Sequence, residues 1–350
     1  MTRLALVMIA KDEGRNIGRA LVSARTHVDR IIVLDTGSTD ATRDIARMAG
    51  ADVYDFAWRD DFAAARNAAL DHSDAAWNLI LDADEWIERD AGVLGPGVLP
   101  PEGGDFLGQV QVASSLGDGK GTAKAWISRV LPRGVRYEGR IHEQPVSALR
   151  QVRLPLVIGH DGYLPEALER KGARNEALLL EEVETHPQDP YLWFQLAKEY
   201  QAREKAPQAA VCFAEALRLT PPDAPWRHAL VVRAMTAFKA AERFDDALAL
   251  ADAEFPNWQD SPDYFFALGD LYLAWAGRNP EQAMSEHLPL AEFAWKKCLE
   301  IGESDHHDGA VAGRGGHMAA HNLAVLYGTL GLKDLEAQFA GLAARLKAAA

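Results

Sequence analysis

Apolar residues change their rhythm once along this chain. In the first half they come as short runs: Leu4-Ala5-Leu6-Val7-Met8-Ile9 and Ile31-Ile32-Val33-Leu34 are continuous, and Ala51-Asp52-Val53-Tyr54 and Trp77 to Leu81, each broken by one polar residue, read as a short third strand and a fourth. A run that is apolar at every position predicts a strand covered on both faces. Between the runs, Ile17, Ala20, Leu21 and Ala24, then Ala41, Ile45, Met48 and Ala49, keep helical spacing, and Phe62 to Leu70 reads as a helix of small residues. Such alternation predicts right-handed crossovers and a mostly parallel sheet. Phe106 to Val112 and Lys124 to Leu131 alternate only in part, which predicts antiparallel strands beside that sheet, with the glycines of 117–122 at a hairpin tip.

Past Tyr163 the glycine-rich pattern gives way to helix formers. Trp193, Leu196, Ala197, Tyr200, Ala209, Phe213, Ala216 and Pro221 fall where a tetratricopeptide repeat of ~34 residues puts its aromatic, small and closing positions. A weaker unit follows around Ala247 and Ala251. A third begins at Phe265-Phe266-Ala267-Leu268-Gly269-Asp270, carries an insertion around Asn279 to Leu290 and resumes through Trp295, and Leu323, Ala324 and Tyr327 mark a capping unit. The predicted organisation is an α/β domain over 1–165, a helical connector over 166–189 and helical repeats over 190–350.

Composition narrows the partners. With 48% hydrophobic and 25% charged residues the chain is ordinary for a globular protein, and a net charge of -14 argues against nucleic acid or an anionic membrane surface as the main partner. No run approaches the ~20 apolar residues of a spanning helix, and Met1 to Ile9 lacks a signal-peptide pattern, so the expected location is cytoplasmic with no integral membrane segment. Cys212 and Cys298 are expected as reduced, buried small hydrophobes.

Chemistry concentrates where Asn78-Leu79-Ile80-Leu81 ends in Asp82-Ala83-Asp84-Glu85. On a strand, residues i and i+2 share a face, so Asp82 and Asp84 are expected to reach one hard divalent cation beside a nucleotide diphosphate. The loop after the first strand has no Gly-x-Gly-x-x-Gly, which excludes a dinucleotide grip. Gly117-Asp118-Gly119-Lys120-Gly121-Thr122 lacks the Gly-Lys-Ser/Thr ending of a P-loop. His306-His307-Asp308 is expected to be a solvated loop without a ligand framework. His317 and His321 share i,i+4 spacing, but Met318 stands where a zinc protease needs glutamate.

Together, Met8-Ile9-Ala10-Lys11-Asp12-Glu13, Asp35-Thr36-Gly37-Ser38-Thr39-Asp40-Ala41-Thr42, Asp61-Phe62-Ala63-Ala64-Ala65-Arg66-Asn67 and Leu81-Asp82-Ala83-Asp84-Glu85 resemble, in order and spacing, the family 2 glycosyltransferases of the GT-A fold. Arg136 to Pro145 and His160-Asp161-Gly162-Tyr163 resemble a narrower branch with tetratricopeptide repeats behind the transferase, which includes lipopolysaccharide-core glucosyltransferases and peptide S-glycosyltransferases. The resemblance implies a UDP-sugar donor, with Asp82 and Asp84 holding Mn2+ or Mg2+ and His160 as a third ligand or diphosphate contact. It implies that Asp35 contacts the uridine, where many relatives have a second acid in place of Thr36, that Glu13 borders that pocket, and that Arg66 reaches ribose or diphosphate. An inverting transfer needs a base, expected to be Glu143 or its neighbour His142, both placed after the last strands of the first domain. The acceptor is a peptide, protein or glycan, and the repeats recruit it or form a homodimer. The alternative is a repeat-based interaction protein whose first domain binds a nucleotide sugar without catalysis.

Overall fold

The computed structural model describes residues 2–115, 122–160 and 165–349, with side chains described throughout except at 122–123 and 165–173. The proposed hairpin tip at 117–121 and the Asp161-Gly162-Tyr163 motif lie outside the described residues. By compactness the chain divides into two units, Met1–Asp118 with Ala125–Leu178, and Gly119–Lys124 with Leu179–Ala350.

In the first unit, β1 (Leu4–Ala10), β2 (Arg30–Asp35), β3 (Asp52–Asp55) and β4 (Trp77–Ile80) are the parallel strands announced by the apolar runs. Both faces are buried in β1, β2 and β4, while β3 at the sheet edge is exposed or half-buried. Leu4, Leu6 and Met8 belong to one core with Ile17 and Leu21, while Ala5 and Val7 belong to another with Ala65 and Ala69. Each large side chain so buried stabilises the fold by about 1.5–3 kcal/mol. The crossovers α1 (Ile17–Ala24), α2 (Thr42–Met48) and α3 (Phe62–Asp71) cover these faces. Asp61 starts α3 by accepting from the Ala64 amide at 2.8 Å, and its run of alanines lets it lie close to the strands.

The sheet continues with β5 (Glu85–Arg89), β6 (Phe106–Ser115) and β7 (Thr122–Pro132). A separate ribbon, β8 (Arg136–Glu138) with β9 (Gln144–Val146), precedes β10 (Arg150–His160). The eight-stranded order is β3-β2-β1-β4-β7-β6-β10-β5. β1 pairs with β2 on one side and β4 on the other, so the chain reverses across the sheet at β1. Open α/β sheets bind ligands outside the strand carboxyl ends at such a point.

Three expectations change here. β4 stops at Ile80, so Asp82 and Asp84 do not share a strand face; they form a turn in which the Glu85 amide donates to the Asp82 carbonyl at 3.0 Å. His142 and Glu143 were expected after the last strands of this domain, yet they precede β9 and β10. β10 went unannounced because Arg150, Gln151 and Arg153 break the apolar pattern before Leu154, Leu156, Val157 and Ile158 become buried.

α4 (Pro165–Thr185) falls where the helical connector over 166–189 is expected, and the division by compactness lies within it, at Leu178. The second unit is helical: α5 (Pro190–Ala202), α6 (Ala206–Leu219), α7 (Arg227–Ala240), α8 (Phe244–Glu254), α9 (Pro262–Arg278), a short α10 (Pro280–Gln282), α11 (Leu288–Ile301), α12 (His317–Thr329) and α13 (Lys333–Ala349). Asp189 before Pro190 and Ser261 before Pro262 cap their helices, accepting from Tyr191 and Tyr264 amides at 2.8 and 3.0 Å. The repeat positions Leu196, Ala197, Tyr200, Ala209, Phe213 and Ala216 are buried, and Trp193 is half-buried. The expected insertion is α10 followed by a π-helical segment, Ala283–His287. Leu180, Val183, Trp193, Leu196, Tyr200 and Val211 line an apolar groove of about 460 Å³. Both cysteines are free and buried, and burial pushes the Cys212 thiol up to about 12. Among the described residues, no helix is long and apolar enough to cross a membrane.

Candidate active site

The turn after β4 sits among charges that come from four elements. Asp82 accepts from Arg66 Nη2 of α3 at 2.6 Å through one oxygen and from Arg129 Nη2 of β7 at 2.9 Å through the other. Arg129 Nη2 also meets Glu85 Oε1 at 2.5 Å, and the second Glu85 oxygen accepts from the Asp82 amide at 3.0 Å. Arg66 Nε in turn donates to Glu143. The guanidinium groups are nearly buried, and burial alone would favour their neutral forms; Asp82 with Glu143 for Arg66, and Glu85 with Asp82 for Arg129, keep both fully charged. Burial likewise opposes ionisation of Asp82, but Arg66 and Arg129 prevail and hold it well below the usual carboxylate range. Glu85 goes the other way, raised by burial and by the charge on Asp82 despite Arg129.

The expected metal ligand Asp82 therefore has both oxygens on arginine. Asp84, two residues on, is buried and faces a different partner, His160 at the end of β10, with Nε2 to Oδ2 at 3.8 Å. Strand register brings them together: His160 lies level with Glu85 on β5 and with Ser114 on β6. Ser114 Oγ fixes the other ring nitrogen, Nδ1, at 2.9 Å. An imidazole held at one nitrogen, with the second turned toward a carboxylate, has the donor set and outer support of a divalent-cation site.

At the end of β2, Asp35 is 1% exposed. Its Oδ2 accepts from the Gly37 and Ser38 amides at 3.1 and 2.9 Å and from Arg43 Nε at 2.8 Å, whereas Oδ1 is buried with no hydrogen-bond partner. A buried acceptor without a donor is costly, and it is the kind of atom that a ligand N–H or O–H satisfies. Thr36 spends its hydroxyl proton on the Ala10 carbonyl at 3.2 Å, and Glu13 accepts from Asn16 Nδ2 at 2.8 Å while its amide donates to Thr42 Oγ1. These two residues tie the loop after β1 to the turn after β2.

Glu143 reaches Arg66 because Asn67, the next residue on α3, pairs with the Tyr137 backbone like a neighbouring strand: its Nδ2 donates to the Tyr137 carbonyl and its Oδ1 accepts from the Tyr137 amide, both at 2.9 Å. The Phe62 amide adds a bond to the Arg140 carbonyl at 2.8 Å. Gly139 and His142, at φ of 96° and 52°, then turn the chain back so that Glu143 points at the helix. Tyr137 Oη and Arg66 Nη1 are buried there without partners, and burial pushes the phenol up to about 12.

The structure thus gathers Arg66, Asp82 and Glu143, and separately Asp84 with His160, while Asp35, Thr36 and Glu13 form the rim at β1 and β2. Arg129 and Ser114 were not singled out from sequence, and Glu85 and Asn67 stood in the quoted motifs without a role of their own. Arg129 left one signal, a lone guanidinium within a strand that is buried at Val130 and Leu131. Ser114 left none.

Residues 5–94 match the family model described as glycosyl transferase family 2. A TPR repeat-containing protein of Synechococcus elongatus is 34% identical over 208 residues, 55% of this chain and 51% of its own length. The SPbeta prophage-derived glycosyltransferase SunS of Bacillus subtilis is 26% identical over 214 residues, 58% of this chain and 50% of its own. The chain thus spans about half the length of the curated relatives it matches. Among solved structures, glucosyl-3-phosphoglycerate synthase from Mycobacterium tuberculosis in complex with Mn2+, UDP and glucosyl-3-phosphoglycerate matches with a TM-score of 0.27 at 24% identity, covering 33% of this chain and 44% of that one.

Proposed function

We propose, from the premise that residues 5–94 form a glycosyl transferase family 2 domain, that this chain is an inverting, divalent-cation-dependent glycosyltransferase. It moves a sugar from a UDP-sugar to a peptide, protein or glycan acceptor. The observation that carries the reading is the meeting of Asp84 and His160 at the strand ends, with His160 braced by Ser114. Asp84 and His160 are the residues that would hold Mn2+ or Mg2+. When bound, such a cation offsets the charge that builds on a departing diphosphate. Asp82, engaged on both oxygens, acts here by orienting Arg66 and Arg129.

The protein's own groups supply the rest. The unpartnered Asp35 Oδ1 takes a hydrogen from the uridine, and Arg66, through its unpartnered Nη1, offers a donor toward ribose or diphosphate. Inversion requires proton removal on the face opposite the leaving group. Glu143 is the carboxylate assigned to that step, held in place by Arg66, with His142 beside it.

Hydrolysis and transfer from a panel of UDP-sugars, with and without Mn2+, tests the reading. Asp84→Ala is expected to lose about 100-fold or more in turnover at unchanged folding. Turnover equal in wild type and Asp84→Ala, or indifferent to chelator, would overturn it.

A further inference from the structure

The second unit contains a 15-residue loop between α11 and α12 that has no helix or long strand of its own. Connections that long in a compact domain are usually functional. This one is fastened along its length. The Gly313 amide donates to both Glu303 oxygens, at 2.9 and 3.1 Å, and the Val311 amide and Arg314 Nη1 donate to Asp263 Oδ1 at 3.0 and 2.9 Å.

One buried histidine aligns this loop with the shorter one before α9. His228 Nδ1 contacts the Asp308 carbonyl at 2.8 Å, and a carbonyl only accepts, so Nδ1 carries the proton. His228 Nε2 then accepts from the Ser261 hydroxyl at 2.7 Å, and the same oxygen accepts from the Tyr264 amide. The result sets Asp260, adjacent to Ser261, against His306 and His307. Asp260 Oδ2 lies 3.0 Å from His306 Nε2 and Oδ1 lies 3.1 Å from His307 Nε2, and one ligand atom from each residue falls within 4.8 Å of the others. Neither histidine was expected to have a ligand framework, because Asp260 is more than forty positions away in sequence.

We propose that Asp260, His306 and His307 form a second metal site, for a divalent cation of the zinc class, built across two loops of the helical unit. Ligands at zinc distances of ~2.0–2.2 Å in tetrahedral array stand about 3.3 Å apart; each histidine nitrogen already stands 3.0 or 3.1 Å from an Asp260 oxygen, and the three ligand atoms lie within 4.8 Å of one another. Two imidazoles with one carboxylate favour zinc over the hard cations expected at Asp84, which prefer oxygen. Outer support is in place: Ser304 Oγ meets His306 Nδ1 at 2.5 Å, and the His307 ring stacks on His228 at 4.6 Å. On binding, the cation replaces the hydrogens shared between Asp260 and the two Nε2 atoms, and the rings shift to Nδ1-protonated tautomers.

The test uses the full chain carrying Asp84→Ala, which removes a ligand of the first candidate site, titrated with Zn2+ by calorimetry and with Co2+ by visible absorption. One Zn2+ per chain, a low-coordinate Co2+ spectrum and a higher melting temperature with Zn2+ are expected. His307→Ala and Asp260→Asn should each weaken Zn2+ binding by more than about tenfold. Asp260→Asn, which keeps size and an acceptor, stands in if His307→Ala does not fold. No Zn2+ binding in the Asp84→Ala parent, or undiminished binding in the folded variants, would overturn the site. Neither readout depends on sugar transfer.

Discussion

Arg129 touches two acids at once, and its position shows how much of the candidate site is buried electrostatics. Replacing it by methionine leaves Asp82 and the buried Glu85 facing each other with only Arg66 to offset them. Removing one member of a buried charge group costs about 3–5 kcal/mol, so Arg129→Met should lower unfolding free energy in urea by that order. A loss below 1 kcal/mol would mean that water already screens the cluster. Asp35 gives a pH test. Burial raises its pKa, but Ser38, Arg43 and Gly37 outweigh that and hold it below its ordinary 3.8. A carboxyl depressed by folding contributes stability that is whole above the unfolded pKa and lost as pH falls through the folded one. The stability gap between wild type and Asp35→Asn should stay level above about pH 5 and close in stronger acid, and a gap that widens on acidification would contradict the assignment. Asp35, Asp82, Asp84, Glu85 and Arg66 stand in short ordered motifs that the sequence displays; Arg129 does not, and its pairing with Glu85 was not legible because contact between β7 and the turn after β4 is a matter of register.

At the scale of elements, α3 does two tasks with adjacent residues. Arg66 faces the acids and Asn67 anchors β8. Asn67→Leu removes two hydrogen bonds and leaves the Tyr137 backbone groups unpaired, at about 1–3 kcal/mol. In the transferase reading it should lower turnover by displacing Glu143 while leaving UDP affinity within about twofold; calorimetry and initial rates separate the two. β10 depends on a close approach: Gly159 pairs with Trp86, and a Cβ there would fall 2.3 Å from the indole, which Arg19 covers from 3.6 Å. Gly159→Ala should cost about 1–3 kcal/mol by overpacking and weaken Mn2+ binding through the adjacent His160. Strands β1, β2 and β4 were readable because they are buried on both faces. β5, β8, β9 and β10 were not, since they are short, charged at one end, or held by side chains far off in sequence.

For the whole molecule, the two units hold separate cores and separate candidate cation sites. Ligands stabilise what they bind by mass action, so UDP with Mn2+ should raise the melting of one unit and Zn2+ that of the other. Scanning calorimetry with each addition alone checks this, and a single transition that responds equally to both would refute it. The change of hydrophobic rhythm after Tyr163 marked the two architectures, and α4 carries the chain from one to the other.

The grouping around the Asp82 turn has one more outcome. Two guanidinium groups stand among four carboxylates, those of Asp82, Asp84, Glu85 and Glu143, so acid outnumbers base where the transferase reading puts a pyrophosphate. A nucleotide arriving bare is repelled, and one escorted by a doubly positive ion is admitted. In that reading the site discriminates by the total charge of what enters, and UDP without its escort should bind the protein poorly however well its base and ribose fit.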